Sequence, residues 1–434
     1  MEYETYYLSL WDQVKRPSEA AQNYDDVRIK LTKFATAIGD SDNGKRISRD
    51  QWIDSLAVAA SFAAPGFEWA DLETRALADK WIKEILSHLD IGESDAKLPV
   101  DIFQTMCAKR VKPYFGSRSS DSQTSQQLYA LMNSDNIGSK SSFSDSDRWR
   151  KHPQCVATFT WALRRLRTED IVESISSILP VVLALVEDYD CQAKIWGLRA
   201  AKLLPDNSDD QFLRKSGIAG VMEKSTRECL TFRSEPGLGA ELLQLGFETA
   251  IRLAQIMYVQ RDDTKYTAHW WALTERVITN NMYISDNIAA NSVLCAQIAP
   301  MCAALGPAIA RYLRPLVGIL TRSLHSPIYL SPLICQLHMA AMEQLLALIA
   351  ACPQRASKYC PEIVGALAYS WSGTRHEKSS ELKDVDNARE LAQSVLKQLV
   401  KISPKDVIDS AVARLYEARP ETFSAWKEIL QHSE

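Results

Sequence analysis

The chain has 434 residues, 46% of them hydrophobic, and its 50 basic and 54 acidic side chains leave a formal net charge of −4. That is enough apolar material for a large core, and the length suggests two to three domains unless the chain is a helical array whose units touch only their neighbours. A negative net charge supplies no uniform field for phosphate backbones, which argues against nucleic acid as a partner.

The first residues carry Glu2, Glu4 and Asp12 where a secretory leader needs a basic start and an apolar run, so no secretion is expected. Residues 1–38 have helical spacing, with Val27, Leu31, Phe34 and Ile38 on one face. After DSDNGKR, helices are predicted from Ile47 to Phe62 and from Leu72 to Leu89, separated by the Pro-Gly stop in AAPGFEW. Trp52, Leu56 and Ala59 face inward on the first, and Trp81, Ile85 and Leu89 on the second. Between Gly116 and Arg148, Ser and Asp dominate, the composition of a flexible linker. The chain is thereby divided into an N-terminal helical region (1–115), a linker (116–148) and a helical repeat region (149–434). In the linker, Ser144 and Ser146 are each followed by Asp, a pattern suited to acidophilic kinases; plain solvated linker is the alternative. Beyond it, apolar helices of about 15 to 25 residues recur, broken at LPDNSDDQ, RSEPGLG, LGPA and SGTRHEKSS. The longest strictly apolar run, Ile178 to Val186, falls short of the roughly 20 residues that span a bilayer, so a soluble chain with no membrane partner is expected.

The stretch LPVVLALVEDYDCQAKIWGLRAAKLL, Leu179 to Leu204, reads as a helix pair around an acidic turn. Ile175, Leu179, Val182, Leu183 and Val186 form one inward stripe, and Ala193, Ile195, Leu198, Ala201 and Leu204 the other. Neither helix can hide its stripe alone. An Asp in the turn is placed to cap the second helix by accepting backbone N–H bonds. Lys194 follows one turn later, and Pro180 falls near the expected start of the first helix, where a kink fits. The layout resembles a HEAT repeat, with Pro180, Asp188, Asp190, Lys194 and Gly197 as structural turn residues. Further copies begin at Tyr312-Leu313-Arg314-Pro315, with Leu333 to Ile349 as inner helix, and at Tyr359-Cys360-Pro361. The step from Pro315 to Pro361 is 46 residues, inside the roughly 40 to 47 of helical-pair repeats. HSPIYLSP stands in the second copy where the Asp turn should be, so the array is irregular. No segment alternates with period two. The expected fold class is all-α, an irregular HEAT-like or armadillo-like α-solenoid of antiparallel helix pairs.

Signatures of chemistry are missing: there is no GxxxxGK[ST], GxSxG, HExxH or CxxC. Asp40-Ser41-Asp42-Asn43-Gly44 approaches a calcium loop but puts its Gly one place early and has Gln51 where the bidentate Glu belongs. The seven histidines never recur at helical ligand spacing and read as core or helix-end residues. The nine scattered cysteines read as small buried hydrophobes in a reducing compartment. Asp188 and Asp190 fit a helix cap better than a metal motif. The nearest approach to a prenyl-synthase DDxxD, Asp206 to Asp210, falls in a predicted loop. No enzyme activity, cofactor or metal is expected. In KYTAHWWALTERVI, Trp270 and Trp271 stand about 100° apart on a helix, so one ring faces inward and its neighbour is part-exposed. Trp is enriched in binding hot spots, which makes Trp270, Trp271, Arg314, Trp371 and Trp426 candidates for partner binding; core packing is the alternative for each tryptophan.

The ordered series of Leu179 to Leu204, Lys265 to Ile278, Arg311 to Leu320 (RYLRPLVGIL), Glu343 to Ile349 and the Ala-Tyr-Ser-Trp at 368–371 resembles the Tel-two-interacting protein two family, and covers about residues 155 to 372. That family is the smallest subunit of the TTT co-chaperone complex. The resemblance implies a non-catalytic helical scaffold in a hetero-oligomer, bound directly to a large HEAT-repeat Tti subunit and associated with the Tel-two subunit. Together these would support Hsp-ninety-linked maturation and stability of phosphatidylinositol-kinase-related kinases of the TOR, ATM and ATR class, in cytoplasm and nucleus. The interface is expected in the C-terminal half, Arg311 to Trp426. The alternative is a generic HEAT or armadillo adaptor in another assembly or transport pathway, which predicts regular repeats with Asn at fixed spacing.

Overall fold

A computed structural model of the chain describes residue 11 and residues 24–39, 47–92, 97–115, 148–260, 263–284, 287–376 and 384–431. The Ser/Asp-rich segment, with Ser144 and Ser146, lies outside the described residues apart from Arg148. By internal packing the chain forms two compact units, Met1–Ser225 and Thr226–Glu434. Among the described residues there is no β-strand.

The first unit contains α1 (Tyr24–Gly39), α2 (Arg49–Ala63), α3 (Leu72–His88), α4 (Val100–Met106), α5 (Gln154–Leu163), α6 (Thr168–Val186), α7 (Cys191–Asp206), α8 (Asp210–Lys215) and α9 (Ile218–Thr226). Local signals set the starts. Ser48 and Gln51 close a capping box on α2, and the Asp71 carboxylate accepts from Thr74 N at 2.8 Å on α3. The core of this unit is α2 against α5, where every residue of α5 and every residue of α2 from Ser55 to Ala63 is buried. Ala57, Ala59 and Ala60 let the two backbones approach, and Thr158, a polar group buried in that contact, is satisfied, since its Oγ1 donates to the Ala57 carbonyl at 2.8 Å. Because α5 also packs on α7, helices from before and after the Ser/Asp-rich segment share one core.

The second unit contains α10 (Gly239–Met257), α11 (Thr264–Tyr283), α12 (Ile288–Ala296), α13 (Ile298–Leu305), α14 (Leu313–Ser323), α15 (Pro332–Ala351), α16 (Cys360–Thr374), α17 (Val385–Ile402), α18 (Lys405–Ala418) and α19 (Pro420–Gln431). Their packing sorts them into two rows. In the inner row α10 touches α12, α12 touches α15, α15 touches α17 and α17 touches α19; the outer row runs through α11, α13, α14, α16 and α18. Helices pair with chain neighbours, as α14 with α15 and α18 with α19, and stack on helices of their own row, which is the packing logic of an α-solenoid. One continuous apolar cluster from Leu230 to Trp426 fills the space between the rows.

Three details differ from the sequence expectation. The first helix of the Leu179–Leu204 pair begins at Thr168, so Pro180 lies deep in α6 rather than near its start. The cause is the acidic first turn, where Glu169 and Asp170 favour a helix N-terminus, so Thr168 to Ser174 join the helix and bring the buried Ile171 and Ser174 into its inward face. Second, LGPA is not a loop: Gly306–Tyr312 forms a 3-10 turn feeding α14, and α12 and α13 are shorter than the expected 15 residues. Third, Ile288–Ser323 and Pro332–Ala351 are long and apolar enough by composition to cross a bilayer, which the search for strictly apolar runs did not register. The first is interrupted at Gly306, and Leu294, Met301, Leu316, Leu320, Leu345 and Leu348 from these stretches all lie in the core of the second unit.

Candidate functional site

The acidic turn between α6 and α7 gathers several polar contacts in the first unit. Asp190, in extended conformation, accepts from Ala193 N at 2.8 Å and caps α7. Asp188 accepts from Asp190 N at 2.8 Å and pairs with the Arg150 guanidinium, which also lies 3.9 Å from the Tyr189 ring centroid. Burial pushes the Asp188 carboxyl above the ordinary carboxylate range, against the lowering by that N–H and by Arg150. Lys194 is fully buried, and its ammonium donates to the Val186 carbonyl at 2.8 Å, satisfying an end group of α6. At Gly197 an added Cβ would stand 2.6 Å from Val186 N, so this glycine is what lets α7 lie against α6. Pro180 is exposed on α6. Asp188, Asp190, Lys194 and Gly197 thus cap, bridge and space a helix pair.

The tryptophans proposed for partner contact divide by burial. Trp270, Trp371 and Trp426 are at most 1% exposed, so as placed they present no surface to a partner. Trp371 Nε1 donates to the Thr422 carbonyl at 2.7 Å, and its ring lies 5.6 Å from that of Trp426, tying α16 to α19. Trp271, one position on from Trp270, is half-buried under the Arg311 guanidinium at 4.7 Å. Arg311 also lies 5.6 Å from the Tyr312 ring, whose hydroxyl donates to the Glu275 carboxylate. Arg314 is exposed on the first turn of α14. This Trp271–Arg311–Tyr312–Glu275 group is a part-exposed cluster of hot-spot residue types that sequence reading missed apart from Trp271. Glu275 and Tyr312 alone are 37 residues apart in the chain, and no local pattern joins the members.

The inner row carries two open grooves. One, of about 500 Å³, lies over α10, α12 and α15, with Ile288, Val293 and the 52% exposed Leu333 as its apolar part and Gln244 and Glu248 at its edge. The other, of about 570 Å³, lies over α17 and α19 and combines Val400, Ala425 and Ile429 with Lys397, Lys401 and Glu428. Such a mixture of apolar and charged groups suits protein contact.

Reactive groups are withdrawn from solvent. All nine cysteines are free and buried, and burial pushes the thiols of Cys107 and Cys302 up to about 12 and that of Cys295 up to about 11. Among the described residues no three His, Cys, Asp or Glu side chains gather to hold a metal. No curated protein matches the chain. The sequence does match the Tti2 family over residues 55–331, more than half its length, from within α2 to the residue that caps α15. On that match, the chain belongs to the Tti2 family.

Proposed function

We propose that the chain binds the large HEAT-repeat Tti subunit directly through the inner row of its second unit, and that with the Tel-two subunit this assembly supports Hsp-ninety-linked maturation and stability of kinases of the TOR, ATM and ATR class, in cytoplasm and nucleus. Membership of the Tti2 family carries the general role, that of a scaffold subunit of the multi-subunit TTT complex, which is not a family of enzymes. One observation supports the placement: the inner row offers two open grooves in series, each with apolar side chains beside charged ones. A partner that is itself a solenoid could lay successive helices across them, and an obligate contact of that type buries roughly 2,000 Å² or more.

The test is affinity purification of the tagged full chain from its own cells through a high-salt wash, with mass spectrometry of what remains bound. Recovery of a large HEAT-repeat protein, a Tel-two homologue and kinases of this class is the expected result; recovery of none of them sinks the reading. Placement is tested separately with Leu333→Asp and with Lys397→Glu/Lys401→Glu. Both variants should keep their fold, since these residues line open surface, and should lose the large subunit. Full retention by both would move the interface elsewhere.

A further inference from the structure

The outer row of the second unit has a groove that the reading above does not use. It is about 690 Å³ in volume and lies between α16, the end of α18 and the start of α19. Gly365 and Tyr369 lie along its α16 side, and Leu415 and Phe423 form an apolar wall. At Gly365, in the middle of a helix that glycine weakens, an added Cβ would meet nothing within 4 Å, so bare helix backbone faces open space. Tyr369, one turn further, is 45% exposed, with His325 stacked on it at 5.5 Å between ring centroids.

The charged side chains that line the groove, Arg375 and Arg419, are both basic, with His376 beside them, and no carboxylate lines it among the described residues. The Arg375 guanidinium lies 5.4 Å from the Trp371 ring centroid, Arg419 is exposed at the end of α18, and neither forms an ion pair among the described residues. Glu417, two residues before Arg419 in sequence, lines a different groove between α18 and α19.

We propose that this groove docks an acidic amphipathic helix of a protein partner, its apolar stripe lying on Gly365, Tyr369, Leu415 and Phe423 and its carboxylates reaching Arg375 and Arg419. Three features select that occupant. Bare backbone at Gly365 admits a second helix at close approach. Gly365 to Arg375 spans about 15 Å of helix, room for two to three turns of a docked one. Guanidinium groups that form no ion pair among the described residues favour carboxylates, to which they bond in a forked geometry. The apolar wall disfavours a purely phosphate-bearing ligand, and a chain of net charge −4 gives it no general attraction.

The experiment places the photo-crosslinker p-benzoylphenylalanine at Tyr369 of the full chain in its own cells, isolates the assembly after irradiation, and sequences the crosslinked peptide. The expected adduct is a segment of net negative charge with apolar residues at helical spacing, reduced at least about tenfold by Gly365→Leu and by Arg375→Glu/Arg419→Glu. Gly365→Leu fills open space, so an unchanged melting temperature confirms that the loss is not unfolding. An adduct to a second copy of the chain, an adduct to a basic segment, or no adduct in an assembly that still forms would each overturn the proposal. Independently of assembly, the purified full chain should bind a fluorescein-labelled, leucine-faced and glutamate-flanked helix of about 15 residues at least roughly tenfold tighter than its lysine-flanked twin. Equal affinities would overturn it as well. Because this second measurement needs no natural partner, failure of the inner-row reading and failure of the groove are distinguishable.

Discussion

His338 on α15 is fully buried, with its Nδ1 2.8 Å from Ser370 Oγ on α16, and burial lowers its pKa to about 4. A base whose pKa falls on folding binds fewer protons in the native state than in the unfolded chain. Its contribution is therefore complete above the unfolded value near 6.5 and is lost as pH falls toward 4. Between pH 7 and pH 5 the loss amounts to about 2 kcal/mol. Denaturant titrations at the two pH values should find that loss reduced in His338→Gln, which keeps a partner for Ser370; an equal loss in both proteins would assign the sensitivity to other groups. Two glycines make a second contrast at this scale. Gly197→Ala forces its Cβ into the backbone of α6 and should cost about 1–3 kcal/mol. Gly365→Ala enters open space and should be neutral or stabilise by up to about 1 kcal/mol. Thermal melts of the pair check both, and a destabilised Gly365→Ala would mean that the groove is closed in solution.

At the scale of the element, the terminal helix α19 is held through aromatic side chains. Trp426 is wholly buried, packs at 5.3 Å on Phe423 and at 5.6 Å on Trp371, and Trp371 in turn holds the Thr422 carbonyl. Trp426→Ala should cost about 3–5 kcal/mol, and hydrogen exchange should accelerate first in residues 420–431. Acceleration spread evenly over the second unit would show that the aromatic contact is not local to α19. The helices themselves were legible in the sequence because a 3.6-residue apolar period, a capping Ser or Asp and a Pro-Gly break are local signals, as at Ser48 and Asp71. The helix around Pro180 shows where such signals fail: its first turns set the buried Ile171 among Thr168, Glu169, Asp170 and Glu173, so the helix begins well ahead of the dense apolar run that holds Pro180. Whether Trp270 or Trp271 faces the core depends on which helices stack beside α11. The Arg311 that covers Trp271 is supplied from a distant turn, and the groove at Gly365 is shaped by two helices beyond it in the chain. Those are tertiary facts with no local trace.

At the scale of the whole molecule, each unit is stabilised by helices that touch few others. In the second unit α15 packs mainly on α12, α13, α14 and α17, and these neighbours transmit its loss directly. Leu345→Ala, at a fully buried position of α15, should cost about 2–5 kcal/mol. Native-state hydrogen exchange should show the protection of α12 and α17 falling more than that of α10 and α19. A uniform fall would mean that the unit opens as one block. The nine sheltered thiols provide a gauge of such events. Cys107, Cys155 and Cys191 belong to the first unit and the other six to the second. Since burial keeps these sulfurs out of reach, an alkylating reagent can meet them only when the surrounding helices part. The native chain is therefore slow to alkylate or to scramble into disulfides, and the order in which its cysteines become labelled is a map of where the array first comes apart.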